Sequence, residues 1–281
     1  MTAADPLDEL VAAVRAGARY HHIHADLVRW VGAQELAKGR KFKEAVKATR
    51  NKLHQVGSAY QEQMIDYPAA DDELGRLPQD LHDPAVQAFC RRMMAAHTST
   101  RERLPILEDF YGDILSPLQP VRSVLDLACG LNPLARAWMP LQADTIYYAC
   151  DIYADMVALL NHFWRRMRLH GEAWLCDLTQ GAPQQPVQLA LLLKTIPCLE
   201  QLDKGAGRRL LESVQAEVML VSFPAQSLSG RSKGMLVNYE AHFHELVHGF
   251  DWRIQRYEFA TELAFLIHTR DFQANEQPSK P

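Results

Sequence analysis

From Val121 to Phe223 five short apolar runs alternate with longer amphipathic stretches, and this alternation limits the chain to few architectures. The runs are Val121–Leu127, Thr145–Cys150, Ala173–Cys176, Val187–Leu193 and Val218–Phe223. Helical spacing marks the segments near 133–139, 153–169, 203–215 and 234–248. Strands alternating with helices over about 100 residues predict a parallel sheet covered by helices on both faces. The end departs from that rhythm. Trp252–Phe259 and Leu263–Thr269 are β-rich and separated by a short turn, which predicts an antiparallel hairpin on the sheet edge.

The first 120 residues read differently. Residues 5–66 lack internal proline after Pro6 and carry apolar positions at helical spacing, with Gly39 separating two helices. Residues 67–83, bounded by Pro68, Pro78 and Pro84, read as a connector. Helices are expected at 84–96 and 101–115, with Ser99 capping and Glu102 completing a capping box. The expected division is a helical region over 1–120 and an α/β domain over 121–281, ending in a polar tail at Gln273–Pro281.

Charge argues against some functions and localises another. The total is −4, but residues 38–52 hold Lys38, Arg40, Lys41, Lys43, Lys47, Arg50 and Lys52 against Glu44. That segment sums to +6, so the other 266 residues sum to −10. Arg40, Lys43, Lys47 and Arg50 recur at three- and four-residue steps, which a helix would align into one stripe. Such a stripe either neutralises phosphates or is a solvated helix face. Arg231 and Lys233, flanked by glycines, form a smaller basic loop that is either a second RNA contact or a flexible turn. No run reaches the roughly 18 apolar residues of a membrane span. The start, MTAADPLDEL, lacks the features of a secretory signal, so a cytoplasmic protein is expected. Five cysteines without CxxC spacing predict free thiols, and no metal is expected.

The stretch Asp126-Leu127-Ala128-Cys129-Gly130-Leu131-Asn132-Pro133 follows the first strand and opens a helix. Small residues at Ala128, Cys129 and Gly130 let a ligand approach the backbone; Asn132 can cap and Pro133 suits a first helical turn. The loop is neither GxGxxG nor GK[ST], which disfavours a dinucleotide or triphosphate cradle. An ordinary tight turn is its alternative. Asp151 ends the second strand, 21 residues after Gly130, where a carboxylate can meet two ribose hydroxyls; a helix cap is the alternative. Asp177 ends the third strand, where a side chain can reach an adenine amino group or simply cap a turn. Three ligand-facing positions at successive strand ends suit S-adenosylmethionine.

Four longer strings sharpen this. His97–Pro105 (HTSTRERLP), Leu125–Leu134 (LDLACGLNPL), Leu191–Glu200 (LLLKTIPCLE) and Phe223–Met235 (FPAQSLSGRSKGM) together resemble the aminoglycoside-resistance methyltransferases that modify guanine N7 in the decoding site of 16S ribosomal RNA. The resemblance spans about residues 20–268. It implies a class I (Rossmann-like) methyltransferase fold with a mostly parallel sheet, a C-terminal antiparallel hairpin and a helical N-terminal domain that docks on RNA. It implies S-adenosylmethionine as donor and the assembled 30S subunit as substrate; a monomer is expected. By resemblance Arg103, Gly130, Asp151 and Asp177 match cofactor-contacting positions, and Tyr60 matches an aromatic that reaches the cofactor. His97, Ala128, Ile152 and Leu178 complete the expected cofactor set. The sequence departs from the family at Ala225 and Gln226, where threonine and a basic residue are common, and at Asp203, where relatives often carry glutamine.

Guanine N7 carries a free lone pair on the major-groove edge, so no dedicated general base is expected. Flipping the base out of its helix calls for side chains that read its edges. Lys194 and Glu200, near the end of the fourth strand, are the candidates. Glu200 would accept from N1–H and the amino group; Lys194 would donate to O6 or hold the cofactor carboxylate. Alternatively Lys194 pairs with an acid and Glu200 starts the next helix. Two other functions fit less of the sequence: a small-molecule methyltransferase, and an RNA-binding protein without transfer activity.

Overall fold

A computed structural model describes residues 5–57, 65–225 and 234–269. Seven strands form one sheet: β1 (Ser123–Leu127), β2 (Ile146–Asp151), β3 (Gly171–Leu175), β4 (Val187–Leu193), β5 (Ala216–Pro224), β6 (Arg253–Glu258) and β7 (Glu262–His268). Their spatial order is β3-β2-β1-β4-β5-β7-β6. The first five pair in parallel; β7 runs antiparallel to both β5 and β6. The five expected runs all become strands, and the terminal hairpin forms as the pattern predicts. The central strands β1 and β4 are buried almost throughout, as strands covered on both faces must be.

Helices fill both faces. On one side lie α9 (Thr195–Leu199), α10 (Ala206–Ser213) and α11 (Met235–Val247), packing Leu210, Phe243 and Leu246 against Leu192, Val221 and Phe265. On the other, α8 (Ala154–Arg166) buries Leu160 and Phe163 in a core shared with the N-terminal helices. Those helices are α1 (Pro6–Arg15), α2 (Ala25–Ala37), α3 (Phe42–Val56), α4 (Tyr67–Leu74), α5 (Pro84–Ala95), α6 (Thr98–Arg103) and α7 (Leu107–Leu115). Proline at the first turn recurs in α1, α4 and α5, each with an aspartate cap: Asp5, Asp66 and Asp83.

Five local expectations are corrected. The connector at 67–83 contains α4, because Pro68 stands in a first turn, where its missing N–H costs nothing, and Asp66 accepts from Ala69 N at 3.0 Å. Tyr67, Ala70 and Leu74 are buried there. The helix expected at 101–115 is two helices joined by a 3-10 turn at Leu104–Ile106, which holds Pro105. Its start lies at Thr98 with His97 in the cap position, so Ser99 does not form the capping box. The segment after β1, Asn132–Trp138, is 3-10 rather than α-helical, and Asn132 uses its amide in the core instead of as a cap.

The N-terminal helices are stitched directly to the sheet. His24 N donates to Ile152 O at 2.8 Å and Ala154 N donates to His22 O at 2.9 Å, either side of an antiparallel bridge between Ile23 and Tyr153. The loop that follows β2 therefore has residues 22–24 as a backbone neighbour.

Candidate active site

The carboxyl ends of β1, β2, β3 and β4 open onto one cavity of about 740 Å³, mouth included. Its position is the usual one for ligands of open α/β sheets. Seven of the expected cofactor residues line it: His97, Ala128, Gly130, Asp151, Ile152, Asp177 and Leu178. Lys194 lines it too. Sequence reasoning missed Leu27 from α2, Val56 at the end of α3 and Gly57 just after it, which supply another wall. The one available signal was Gly57: a Cβ there would lie 2.3 Å from the Tyr153 hydroxyl oxygen.

Backbone geometry shapes the floor. Ala128, Gly130 and Lys194 adopt φ of 51°, 52° and 59°. Left-handed conformations at non-glycine residues cost about 1–3 kcal/mol each and need surrounding structure to hold them. Here Lys194 N donates to Ser222 O at 3.0 Å, and Thr195 Oγ1 donates to Leu127 O at 3.0 Å, tying the ends of β4, β5 and β1 together. A Cβ on Gly130 would stand 3.0 Å from the His97 ring, so that position needs glycine for space as well as conformation.

Asp151 is buried and braces the loop. Its Oδ2 accepts from Gly130 N at 2.9 Å and its Oδ1 from Ile152 N at 2.6 Å. An ionised carboxylate has about four lone-pair sites, so acceptor capacity remains on the cavity side. Burial pushes its pKa up, and hydrogen bonds from the backbone N–H groups of Gly130, Ile152 and Tyr153 restrain the rise. Asp177 caps a 3-10 turn at Leu178–Gln180, accepting from Thr179 N at 2.9 Å, and also faces the cavity. Both the capping and the ligand-facing readings of Asp177 are therefore compatible with its place. His97 contacts Ser99 Oγ through Nδ1 at 3.1 Å. Burial, then the charges of Lys194, Arg101 and Arg103, push its pKa down to about 4, leaving a neutral ring at neutral pH.

Arg103 stands behind the cavity rather than on its lining. Its Nη2 donates to Glu262 Oε1 at 2.6 Å and its Nη1 to Asn132 Oδ1 at 2.9 Å. Asn132 Nδ2 donates to Asp126 Oδ2 at 2.8 Å, as does the Tyr147 hydroxyl. Burial pushes the Asp126 carboxyl up to about 7. Lys194 Nζ reaches Glu102 Oε2 at 2.7 Å and Glu262 Oε2 at 3.4 Å. Burial disfavours the Glu262 charge, but Arg103 and Lys194 outweigh it and hold the carboxyl below its ordinary range. Lys194 thus both pairs with acids and faces the cavity.

Glu200 does not reach the cavity. Its Oε2 meets His242 Nε2 at 2.7 Å, and its Oε1 packs where a Cβ on Gly207 would be. Asp203 accepts from Gly205 N at 2.9 Å and pairs with Arg209 at 2.6 Å, while Leu202 beside it lines the cavity. Ala225 is buried, its N–H donating to Thr261 O at 3.0 Å. Tyr60, Gln226, Arg231 and Lys233 lie outside the described residues.

The basic segment is partly spent internally. Lys38, Arg40 and Lys52 converge on buried Glu35 at 2.7, 2.8 and 3.2 Å. Arg40 precedes α3, and Arg50 turns inward to the Ala13 and Val14 carbonyls, so the expected four-residue stripe is not presented. Lys41, Lys43 and Lys47 are exposed, and among the described residues they show no ion pair.

A mostly parallel sheet closed by an antiparallel hairpin, with acids at successive strand ends facing one cavity, is the architecture of class I methyltransferases. Residues 16–267 match the ribosomal RNA methyltransferase (FmrO) family, and the chain belongs to it. It is 35% identical over 269 residues to a 16S rRNA (guanine(1405)-N(7))-methyltransferase of Micromonospora rosea, covering 95% of this chain and 98% of that one. The corresponding enzyme of Micromonospora echinospora is 36% identical over 265 residues, covering 94% and 97%. Among solved structures, the 16S rRNA methyltransferase RmtF in complex with S-adenosyl-L-homocysteine superposes with a TM-score of 0.80 at 31% identity, covering 94% of this chain and 98% of that one. No helix among the described residues is long and apolar enough to cross a membrane.

Proposed function

We propose that this chain transfers a methyl group from S-adenosylmethionine to N7 of a guanine in the decoding site of 16S ribosomal RNA, within the assembled 30S subunit. The observation that carries the reading is the cavity, where acceptor capacity on Asp151 and Asp177, a close backbone approach at Gly130 and the Lys194 cation surround one space. That donor set fits the group: carboxylates for ribose hydroxyls and an adenine amino group, a cation for a carboxylate, and no phosphate cradle. When bound, S-adenosylmethionine supplies an electrophilic methyl group on a sulfonium.

The residues around it need only bind, orient and exclude water. Transfer would break one carbon–sulfur bond of the donor and form one carbon–nitrogen bond from the N7 lone pair, with no proton to remove. Positive charge passes from sulfur to the guanine ring, so the site acquires no new net charge. The cluster behind it, Arg103 and Lys194 against Glu102 and Glu262, is neutral overall. Neutral His97 has no proton to accept in this step. Alignment of attacking and leaving atoms can contribute about 7–11 kcal/mol in well-oriented systems. Lys194, on the cavity lining, reads the guanine O6 or holds the cofactor carboxylate.

Residues 1–120 serve as the RNA-docking region and 121–281 as the transferase domain. The enzyme works in the cytoplasm as a monomer and without a metal, since a free lone pair needs no Lewis acid. Incubating labelled S-adenosylmethionine with intact 30S subunits, then mapping the modified nucleotide, tests the reading. Label at one decoding-site guanine, unaffected by EDTA, is expected. Label on small molecules but none on subunits would overturn it in favour of a small-molecule methyltransferase.

A further inference from the structure

A second cavity lies on the N-terminal helices, far along the chain from the strand ends. It is an open groove lined by Tyr20, Phe42, Lys43, Val46, Lys47 and Arg50, among others. Phe42 opens α3 and is 39% exposed, one of three exposed large hydrophobic side chains among the described residues, with Ile146 and Val237. The arrangement is ordered from within. Arg50 lies 5.8 Å over the Tyr20 ring and donates to the Ala13 and Val14 carbonyls, fixing the inner wall. Phe42 and Val46, one turn apart, form an apolar strip; Lys43 and Lys47 form a cationic strip beside it.

Aromatic surface beside unpaired lysines is the chemistry that holds single-stranded nucleic acid, with bases stacked on rings and phosphates on cations. We propose that this groove receives one unpaired nucleotide of the ribosomal RNA, its base against Phe42 and its flanking phosphates on Lys43 and Lys47. The inference rests on the RNA-methyltransferase reading and deepens it by naming an anchoring subsite. The occupant is chosen by charge complementarity: Lys43 and Lys47 have no ion pair among the described residues, whereas Lys38, Arg40 and Lys52 are held by Glu35.

The groove also sets a distance. Phe42 begins α3 and Val56 ends it, and Val56 lines the cavity at the strand ends. Fourteen residue steps of helix separate them, about 20 Å. The helix therefore acts as a spacer between the anchored nucleotide and the target base.

The test measures affinity of the full chain for 30S subunits across a salt series, after wild-type methylation of those subunits has been established. Phe42→Ala is expected to weaken binding about 5- to 150-fold at every salt concentration, without changing the slope against log salt. Phe42→Tyr retains a stacking face and is expected to restore binding. Lys43→Gln with Lys47→Gln is expected to flatten the slope by about 1.4, from 0.7 per single-strand phosphate. Both variants should bind S-adenosylhomocysteine as wild type does. Subunit binding by Phe42→Ala equal to wild type overturns the base-stacking site while leaving the methyltransferase reading intact. A flattened slope for Phe42→Ala overturns it equally, since that would make the ring a prop for the lysines. Failure of the wild type to methylate subunits overturns both readings.

Discussion

Arg103 and Glu262, 159 positions apart in the chain, form a fully buried ion pair with Nη2 2.6 Å from Oε1. The pair fastens α6, which carries one wall of the cavity, to the first residue of the last strand. Burial alone would oppose the arginine's charge, but Glu262, then Tyr111 and Asp126, outweigh it and raise its pKa. Ser222 Oγ donates to the same carboxylate at 2.6 Å. Removing one member of such a pair strands the other charge in the core. Glu262→Ala is therefore expected to cost about 3–5 kcal/mol, read as a fall in the denaturant midpoint. Adding Arg103→Met to that variant should recover part of the loss. A single-variant loss below about 1 kcal/mol would sink the assignment.

Asp151 links cavity and loop through the same carboxylate. Asp151→Ala is expected to weaken S-adenosylhomocysteine binding by about 10- to 150-fold, the range of about 1.5–3 kcal/mol for hydrogen bonds to a charged group. Calorimetry measures this directly. Lys43→Gln with Lys47→Gln serves as the control, since neither lysine lines the cavity.

Burial of His97 predicts a specific pH dependence. Its folded pKa of about 4 lies below its ordinary 6.5, so between these values the unfolded chain binds more protons. Its contribution is full above pH 6.5 and is lost as pH falls toward 4, on the order of 3 kcal/mol in all. Asp126, raised to about 7, acts in the opposite sense and loses stability as pH rises from about 4 to 7. The wild-type curve therefore carries both slopes. Subtracting the His97→Gln curve isolates the first; a flat difference between pH 4 and 6.5 would contradict it.

Glu35 restrains three cations of the basic segment. Lys38, Lys52 and Arg40 together outweigh its burial and hold its carboxyl below the usual range. Glu35→Gln is expected to lower the melting temperature while tightening RNA binding at low salt, because the cations it holds become available to phosphates. The salt slope should steepen, as more counterions are displaced. Weaker binding with an unchanged slope would show that Glu35 instead shapes the docking surface.

Much of this was legible in the sequence, for identifiable reasons. The strands were, since buried parallel strands are unbroken apolar runs bounded by loops. Gly130, Asp151 and Asp177 were, since strand ends in such a sheet converge on one face. What was missed depended on distant partners. Glu262 is a lone acid before LAFLIH, and nothing local says that Arg103 waits for it. Pro68 looked like a breaker because its reading turns on whether it begins a helix or interrupts one. Glu200 sits only six residues after Lys194, but α9 turns it toward His242 and Gly207. The charge run misled in part because Glu35 lies just outside the cationic stretch it neutralises.

The bridge between residues 22–24 and 152–154 bears on how force would travel through the molecule. A swing of the helical region against the sheet would first have to break the His24–Ile152 and Ala154–His22 hydrogen bonds. Ile152 and Tyr153 form the cavity wall on one side of that seam, and the α2 helix begins directly on the other. Load applied to the outer helices is therefore delivered to the pocket as displaced backbone instead of being dissipated at a hinge. Separating the helical region from the sheet would therefore also strip a backbone neighbour from the cavity wall.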